Sequence, residues 1–392
     1  MRNLKLNAIT LALAATAIAT SAVAAEDRDD QAKRAIPHLD HVFVVVMENH
    51  AFSQIIGNTA SAPYINAYAN QANLATNYFG VGHPSLTNYL EIVGGSNFDV
   101  VNDNSPDWHN TNCVSALSQS AAQLEGSPNI CPISGSGMDA ATPKVDDYNE
   151  GSVASPIHND PLAPAFTVGK TIADQLVEAG LSWKTYQENL PAFGADRVNF
   201  SDGLLTDSTP APVSGVPHLY ASKHNPFVYF DNIQKGTTEG LSLKNVVGFE
   251  ALYADLAKGT VPNYSFIAPN QCHDQHGRGP GEVGPGCSAD AGTIAQGDAA
   301  LKELVRAIKA SPVWSHGNNA LVVVWDENDY GPESNQVVTI VDTNYGVKGV
   351  KSNVKYNHFS LLKTIEAGFG LDYLNHAADK DVLLMKDLFA AH

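Results

Sequence analysis

The chain has 392 residues, of which 41 are Asp or Glu and 23 are Lys or Arg, so its formal net charge is −18. A charge this negative disfavours binding to nucleic acids or to anionic membranes through bulk electrostatics. We therefore expect no nucleic-acid partner, and a phosphate-bearing ligand would need local cations. The length exceeds that of a typical domain, but one α/β domain with insertions can reach it.

The first segment is typical of a secretory signal peptide. Arg2 and Lys5 precede an apolar stretch, and small residues follow at 22–24. We predict a signal peptide over 1–24, a flexible mature N-terminus over 25–37 and a single domain over 38–392. No later stretch approaches the roughly 18 consecutive apolar residues of a spanning helix, so we expect no transmembrane segment and a secreted or periplasmic protein.

Four cysteines fit an exported protein. Cys113 and Cys131 bracket a polar loop, and Cys272 and Cys287 bracket a loop rich in Gly and Pro. Sequential pairing is the simplest of the three possible connectivities. Two stretches without periodicity, near 96–166 and 191–220, are interpreted as insertions.

An uninterrupted apolar run at 42–47 predicts a strand that is buried on both faces of a parallel sheet. Glu48 and Asn49 follow it directly. Ligands of open α/β sheets bind beyond the carboxyl ends of the strands, and hard cations prefer oxygen ligands. These two residues are therefore candidate metal ligands, although they could equally begin a solvated turn.

A helical pattern begins at Ser85, directly after Pro84. Ser85 could be an N-cap whose hydroxyl accepts a backbone N–H, which is the common use of serine there. It could also be a nucleophile, because a helix N-terminus stabilises an alkoxide and an incoming phosphate. The residues alone leave both interpretations open. Further along the chain, the pattern predicts helices capped by Asp298 and by Ser360.

Three later motifs add candidate ligands. Lys223 and His224 could bind phosphate oxygens or be structural. The predicted strand at 264–268 precedes three potential metal ligands, and the buried run at 320–325 ends in two carboxylates. Neighbouring strand ends would bring the carboxylates of the two runs together, where they repel one another unless a cation lies between them. The residues concerned are His273, Asp274 and His276 after the first strand, and Asp326 and Glu327 after the second.

The motifs at 47–50, 83–85 with 88–90, 223–226, 269–276, 325–327 and 358–366 occur in one collinear order. Together they resemble the phosphoesterase family of bacterial phospholipases C and secreted acid phosphatases, within the alkaline phosphatase superfamily. The sequence is most similar to secreted acid phosphatases described as acting on phosphoinositides. The resemblance implies an α/β fold with a central, mostly parallel sheet flanked by helices, and it covers the chain from about residue 38 to the C-terminus.

The resemblance also implies roles for individual residues. One divalent ion would be held by Glu48, Asn49, Asp326 and Glu327, and Ser85 would be the nucleophile that becomes phosphorylated. The substrate-binding candidates are His83, Asn88, Lys223 and His224, the candidate proton donors to the leaving group are His276 and His358, and a possible second metal site comprises His273 and Asp274. Compared with two-zinc enzymes of the superfamily, Glu48 and Asn49 stand where an early Asp would be, and Asp326 and Glu327 stand where Asp and His would be. The resulting oxygen-rich ligand set favours Ca²⁺, Mg²⁺ or Mn²⁺ over Zn²⁺.

The expected activity is that of a secreted, metal-dependent phosphomonoesterase of the acid phosphatase type, with phosphoinositides as possible substrates. Lys223 and His224 could balance the extra charge of a dianionic monoester, which a diester lacks. The alternatives are a phosphodiesterase of the phospholipase C type and a catalytically dead, secreted metal-binding protein.

Overall fold

The computed structural model describes residues 35–98, 100, 103, 106, 169–196, 198–203, 218–277, 287, 290–331 and 334–391. The predicted signal peptide, most of the predicted insertion at 96–166 and the predicted Cys113–Cys131 pair lie outside these residues. Within the described ranges, no helix combines the length and the apolar character that crossing a bilayer requires.

A nine-stranded sheet lies at the centre of the described structure. The strands are β1 His41–Met47, β2 Asn73–Phe79, β3 Trp183–Gln187, β4 Phe200–Ser201, β5 Tyr220–Ala221, β6 Val246–Gly248, β7 Tyr264–Ala268, β8 Asn319–Trp325, β9 Gln336–Thr343, β10 Lys351–Ser352 and β11 Tyr356–Asn357. The order in the sheet is β10-β2-β9-β8-β1-β7-β3-β6, with β11 also paired to β2, and β4 and β5 form a separate two-stranded ribbon in the predicted second insertion.

Parallel pairing dominates this sheet, as the sequence predicted. Strand β1 is parallel to both β7 and β8, and β3 is parallel to β7 and β6. Strand β9 is the exception, because it runs antiparallel to β8 and β2. The residues at 42–47 are fully buried, which explains why β1 carries no polar alternation.

Helices flank the sheet. The α-helices are α1 Phe52–Ile55, α2 Pro63–Gln71, α3 Ser85–Gly94, α4 Ile172–Glu178, α5 Asp231–Lys235, α6 Phe249–Lys258, α7 Asp290–Ala310 and α8 His358–Phe369. Short 3₁₀ helices span Ser222–His224, Pro226–Tyr229, Leu243–Asn245, Pro312–Ser315 and Asn375–Ala378. The mixed α/β architecture with a large central sheet confirms the predicted fold class.

Two predicted helix caps are wrong. Asp298 lies inside α7, and its carboxylate accepts hydrogen bonds from the backbone N–H groups of Tyr64 (3.1 Å) and Ile65 (2.7 Å). It therefore caps the neighbouring helix α2, whose own N-cap position is an alanine. At the start of α8 the N-cap is Asn357, which accepts from the N–H of Ser360, so Ser360 is already helical.

The predicted pairing of Cys272 with Cys287 is confirmed, since the two residues form a disulfide. The bridge closes the loop that follows β7. This loop leads from the carboxyl end of β7 to Asp274 and His276, so the disulfide lies close to the chain segment that carries two of the candidate site residues.

The register of the central strands brings the candidate ligands together. Met47 pairs with Trp325, so β1 and β8 end side by side, and Glu48 and Asp326 come next in each chain segment. The backbone N–H of Glu48 donates to the carbonyl oxygen of Asp274 at 2.8 Å, which ties the loop after β7 to the same edge.

Candidate active site

Three carboxylates meet at the carboxyl ends of β1 and β8. Glu48, Asp326 and Glu327 are at most 1% exposed, and one oxygen of each lies within 4.8 Å of the others. Burial raises the pKa of Glu327 to about 7, and burial together with the charge of Glu48 raises the pKa of Asp326. Such a cluster needs positive charge for all three groups to ionise.

The atoms of this cluster fit a hard cation. Among the described residues, Oδ2 of Asp326 and Oδ1 of Asn49 are buried without a hydrogen-bond partner. Asn49 has a φ of 56°, and its backbone N–H donates to Oδ1 of Asp326 at 3.1 Å. Carboxylate and amide oxygens are the ligands that Ca²⁺, Mg²⁺ and Mn²⁺ prefer. Glu48, Asp326 and Glu327 therefore lie together and, with the neighbouring Asn49, form a candidate divalent metal site.

The hydroxyl of Ser85 faces this cluster. Ser85 is the first residue of α3, and its Oγ lies 3.0 Å from Oε2 of Glu48 and 3.2 Å from Oε1 of Glu327. Pro84 occupies the N-cap position and Ser85 is already helical, so the interpretation of Ser85 as an N-cap is wrong. A buried serine hydroxyl held at a helix N-terminus beside candidate metal ligands is a candidate nucleophile.

The loop before α3 is held by two of the predicted substrate-binding residues. Oδ1 of Asn88 accepts from the N–H groups of Val81 and Gly82, and its amide nitrogen lies 3.2 Å from Oε2 of Glu327. Nδ1 of His83 lies 2.7 Å from the same oxygen of Glu327. Both side chains are buried, so the structure places His83 and Asn88 behind Glu327, where they fix its orientation.

The same loop approaches the end of β8 closely. A Cβ atom at Gly80 would lie 2.5 Å from the carbonyl oxygen of Asp326. Only glycine allows this approach without a shift of the backbone. The loop that precedes Ser85 and the carboxyl end of β8 are therefore packed directly on each other.

His224 lies between two carboxylates. Its Nε2 is 2.8 Å from Oε1 of Glu48 and its Nδ1 is 3.0 Å from Oδ2 of Asp274, while its ring stacks on Tyr89. Burial disfavours the imidazolium, but Glu48 and Asp274 outweigh burial and raise the pKa of His224 to about 9. The positive ring in turn lowers the pKa of Glu48 against the effect of its burial.

Lys223 and His276 form the more open side of the site. Nζ of Lys223 lies 3.0 Å from Nε2 of His276 and 3.0 Å from Oδ2 of Asp103. An ammonium only donates, so Nε2 of His276 accepts and Nδ1 donates to the carbonyl oxygen of Gly277 at 2.6 Å. Burial and the charge of Lys223 lower the pKa of His276 to about 4. One ligand atom each from Glu48, His224 and His276 also lies within 4.8 Å of the others.

The structure separates the two residues predicted for a second metal site. Asp274 faces His224, whereas Nδ1 of His273 lies 2.9 Å from both carboxylate oxygens of Glu188. The two side chains point to different neighbours, so His273 does not join the cluster. The structure therefore does not bring His273 and Asp274 together, whereas His276 does lie near Glu48 and His224.

His358 is not placed as a proton donor to a leaving group. It is 0% exposed, its Nε2 donates to the carbonyl oxygen of Asp326 at 2.6 Å, and its Nδ1 accepts from the hydroxyl of Tyr78 at 3.0 Å. Burial lowers the pKa of His358 to about 4. Both ring nitrogens are thus used inside the protein, and the geometry gives His358 the role of holding the backbone that carries Asp326.

Two residues of the site were not anticipated from the sequence. Oδ1 of Asp103 accepts from the N–H of Leu86, the residue after Ser85, at 3.0 Å. Tyr330 is 43% exposed and has a φ of 59°, and the centroid of its ring lies 4.1 Å from that of the His83 ring. Tyr330 lies three residues after Glu327, and this closeness to the acidic pair could have identified it from the sequence. Asp103 lies in a stretch without periodicity, where no such pattern points to it.

Known proteins with similar sequences are phosphatases. A phosphatidylinositol-3-phosphatase of Mycobacterium tuberculosis is 28% identical over 368 residues, which cover 93% of this chain and 88% of that protein. A probable acid phosphatase of Kluyveromyces lactis is 25% identical, covering 87% of this chain and 61% of that protein. An acid phosphatase of Aspergillus fumigatus is 24% identical, covering 78% of this chain and 50% of that protein. This chain therefore spans only half to three fifths of the two fungal relatives.

A solved structure of an alkaline phosphatase superfamily protein from Vibrio parahaemolyticus aligns with a TM-score of 0.45 and 13% identity, over 86% of this chain and 68% of that one. The Phosphoesterase family matches residues 58–372, a range that contains Ser85, Asp326 and Glu327 and begins after Glu48 and Asn49. The chain therefore belongs to the Phosphoesterase family and is a hydrolase that acts on phosphoric ester bonds.

Proposed function

We propose that this chain is a secreted, metal-dependent phosphomonoesterase that uses Ser85 as its nucleophile and forms a phosphoserine intermediate. The observation that carries the proposal is the position of the Ser85 hydroxyl, within 3.2 Å of two buried carboxylates at the start of a helix. A hydroxyl that merely satisfied its hydrogen bonding would not require two buried carboxylates beside it.

A divalent ion held by Glu48, Asn49, Asp326 and Glu327 would neutralise negative charge on the serine oxygen and on the phosphoryl group. Oγ of Ser85 gives its proton to one of the two carboxylates that it contacts and attacks phosphorus in line, so that a new P–O bond forms and the bond to the ester oxygen breaks. The leaving oxygen takes a proton from Nζ of Lys223, because Nε2 of His276 accepts from that ammonium and has no proton to give. Water then attacks the phosphoserine and returns a proton to Nζ of Lys223, the bond between phosphorus and Oγ breaks, and Oγ regains its proton from the carboxylate as inorganic phosphate leaves.

Positive charge on the open side of the site supports a monoester as substrate. Nζ of Lys223 lies on this side and favours the dianion of a monoester over the monoanion of a diester, and the buried imidazolium of His224 offsets the charge of Glu48 behind it. The name of the M. tuberculosis relative makes phosphoinositides one class to test. The Cys272–Cys287 disulfide and the leader-like N-terminus support export.

The nucleophile is tested with matched variants. Ser85→Ala should lose several orders of magnitude in kcat on p-nitrophenyl phosphate, because removal of a nucleophile costs far more than any local packing change. Thr87→Val, two residues along the same helix, removes a hydroxyl that bonds the carbonyl oxygen of Pro84 and should keep most of the activity. If Ser85→Ala retained near wild-type kcat, Ser85 would not be the nucleophile.

Substrate choice is tested by comparing kcat/KM on p-nitrophenyl phosphate and a soluble inositol phosphate with kcat/KM on bis-p-nitrophenyl phosphate and phosphatidylcholine. We expect the monoesters to turn over with the higher values. Higher kcat/KM values on the diesters would show that the chain is a phosphodiesterase of the phospholipase C type and not a monoesterase. Absence of turnover on all four with Ca²⁺, Mg²⁺ or Mn²⁺ supplied would point to a dead phosphatase.

A further inference from the structure

Asp103 places a carboxylate directly beside the nucleophile. Its Oδ1 accepts the backbone N–H of Leu86 at 3.0 Å, and its Oδ2 accepts from Nζ of Lys223 at 3.0 Å. Leu86 follows Ser85, so its N–H is one of the free donors in the first turn of the ten-residue helix α3. One side chain therefore bridges a helix N-terminal donor and the lysine of the site.

These two donors are the groups that would bind an anionic substrate. A backbone N–H at a helix N-terminus and an ammonium group both favour phosphoryl oxygens. The Lys223 side chain is only 14% exposed and the Asp103 side chain is 32% exposed, so the carboxylate is the more exposed of the two groups. Asp103 thus occupies both donors from their more exposed side.

Asp103 adds negative charge to a site that is already acidic. The site already contains the carboxylates of Glu48, Asp326 and Glu327, and the charge of Asp103 is among those that raise the pKa of Glu327 beyond the effect of burial. The Asp103 carboxylate also helps to raise the pKa of Lys223 against burial, which keeps the lysine charged. A fourth carboxylate that stayed in place would repel a phosphate ester.

We propose that Asp103 is an internal competitor of the substrate: its carboxylate occupies the anion site formed by the N–H of Leu86 and Nζ of Lys223, and a phosphoryl group displaces it. This inference rests on the proposed function. In the free enzyme Asp103 keeps the buried ammonium paired. When a substrate binds, one anion replaces another, so the net affinity for phosphate is reduced and the product leaves more readily.

The test compares Asp103→Asn and Asp103→Ala with the wild-type full chain in the presence of its metal. The inhibition constant of inorganic phosphate and the KM for p-nitrophenyl phosphate should both fall about tenfold, since a charge-assisted hydrogen bond no longer has to be broken. Calorimetric binding of inorganic phosphate should show the same gain. A residue that only supported the fold or positioned Lys223 would give the opposite sign when removed.

Asp329→Asn is the matched control. Asp329 is an exposed acid two residues after Glu327 whose Oδ2 accepts from Nε2 of Gln54 and which contacts neither donor of the anion site. Its inhibition constant for phosphate should stay within about twofold of wild type, because exposed charges are strongly screened. An equal fall in this control would attribute the gain to net charge and overturn the occupancy of the anion site by Asp103.

Unchanged or weaker phosphate binding in both Asp103 variants, with melting temperatures near wild type, would also overturn the inference. Asp103→Asn keeps the size of the side chain, so it decides the question if Asp103→Ala does not fold. A wild-type protein that hydrolyses no phosphate ester would contradict the proposed function. An active wild type whose Asp103 variants bind phosphate no more tightly would contradict this inference alone.

Discussion

Oγ of Ser85 lies 3.0 Å from Oε2 of Glu48, although 37 residues separate them in the chain. The contact exists because α3 begins directly beyond the carboxyl end of the sheet, where β1 and β8 end side by side. A nucleophile in this place depends on the acidic cluster for activation and on the cation that the cluster fits.

The acidic cluster predicts a coupling between metal and stability. Addition of Ca²⁺, Mg²⁺ or Mn²⁺ to chelator-treated protein should raise the Tm, because an ion at 100 times its Kd stabilises the fold by about 2.7 kcal/mol. Asp326→Asn should raise the Tm of the metal-free protein, since it removes one of three repelling carboxylates, and should abolish the response to metal. A metal response of wild-type size in Asp326→Asn, measured by calorimetry, would place the ion elsewhere.

His358 should affect metal binding indirectly, by holding the backbone of Asp326. Loss of the hydrogen bond from its Nε2 to the carbonyl oxygen of Asp326 should weaken metal binding about 10- to 100-fold in His358→Ala, as is usual for groups that orient metal ligands. The pH–rate profile should keep the shape of the wild-type profile once metal is saturating. Titration of activity and of Tm with metal measures the first effect. Loss of one limb of the pH profile would instead make His358 a proton donor.

His273 and His276 form a natural pair of variants because they lie three residues apart on one loop and have different surroundings. His276→Ala should lower kcat at least tenfold, since its Nε2 lies 3.0 Å from Lys223 on the open side of the site. His273→Ala removes only a partly exposed pair with Glu188 and should keep kcat within about twofold. Steady-state assays on p-nitrophenyl phosphate suffice. Equal losses in the two variants would argue against the assignment of His276.

The cap that Asp298 provides for α2 should affect the stability of the protein and not its activity. Asp298→Ala leaves two N–H groups at the start of α2 without their acceptor and should lower the free energy of unfolding by about 1–3 kcal/mol. Glu303→Ala, on the same helix, removes an exposed pair with Arg306 and should change it by less than about 1 kcal/mol. Urea unfolding measures both. A loss of kcat in folded Asp298→Ala would mean that α2 affects the site.

The sequence predicted the parts of the site that follow from strand ends. Glu48 and Asp326 each come directly after a buried apolar run, so pairing of the two strands brings them together whatever the loops do. The placement of Ser85 at a helix start was likewise readable from Pro84 and the periodicity after it. Local pattern and global topology agree at these positions.

What the sequence could not predict depends on which way a side chain turns. His273 and Asp274 are neighbours in the chain, yet one faces Glu188 and the other His224, and no spacing rule distinguishes them. His358 was a candidate proton donor, but the partners of its two ring nitrogens come from distant elements of the chain. Asp298 showed the same limit, because its capping partner is another helix.

The central claim is that hydrolysis proceeds through a phosphorylated serine. The stereochemical course at phosphorus tests it directly, with a phosphate monoester whose phosphorus is made chiral by sulfur and oxygen isotopes and an alcohol as acceptor. Each in-line displacement inverts the configuration. The account predicts net retention, because attack by Ser85 and the following attack by the acceptor invert it twice. Net inversion would mean that the acceptor attacks the substrate directly and would contradict the role assigned to Ser85.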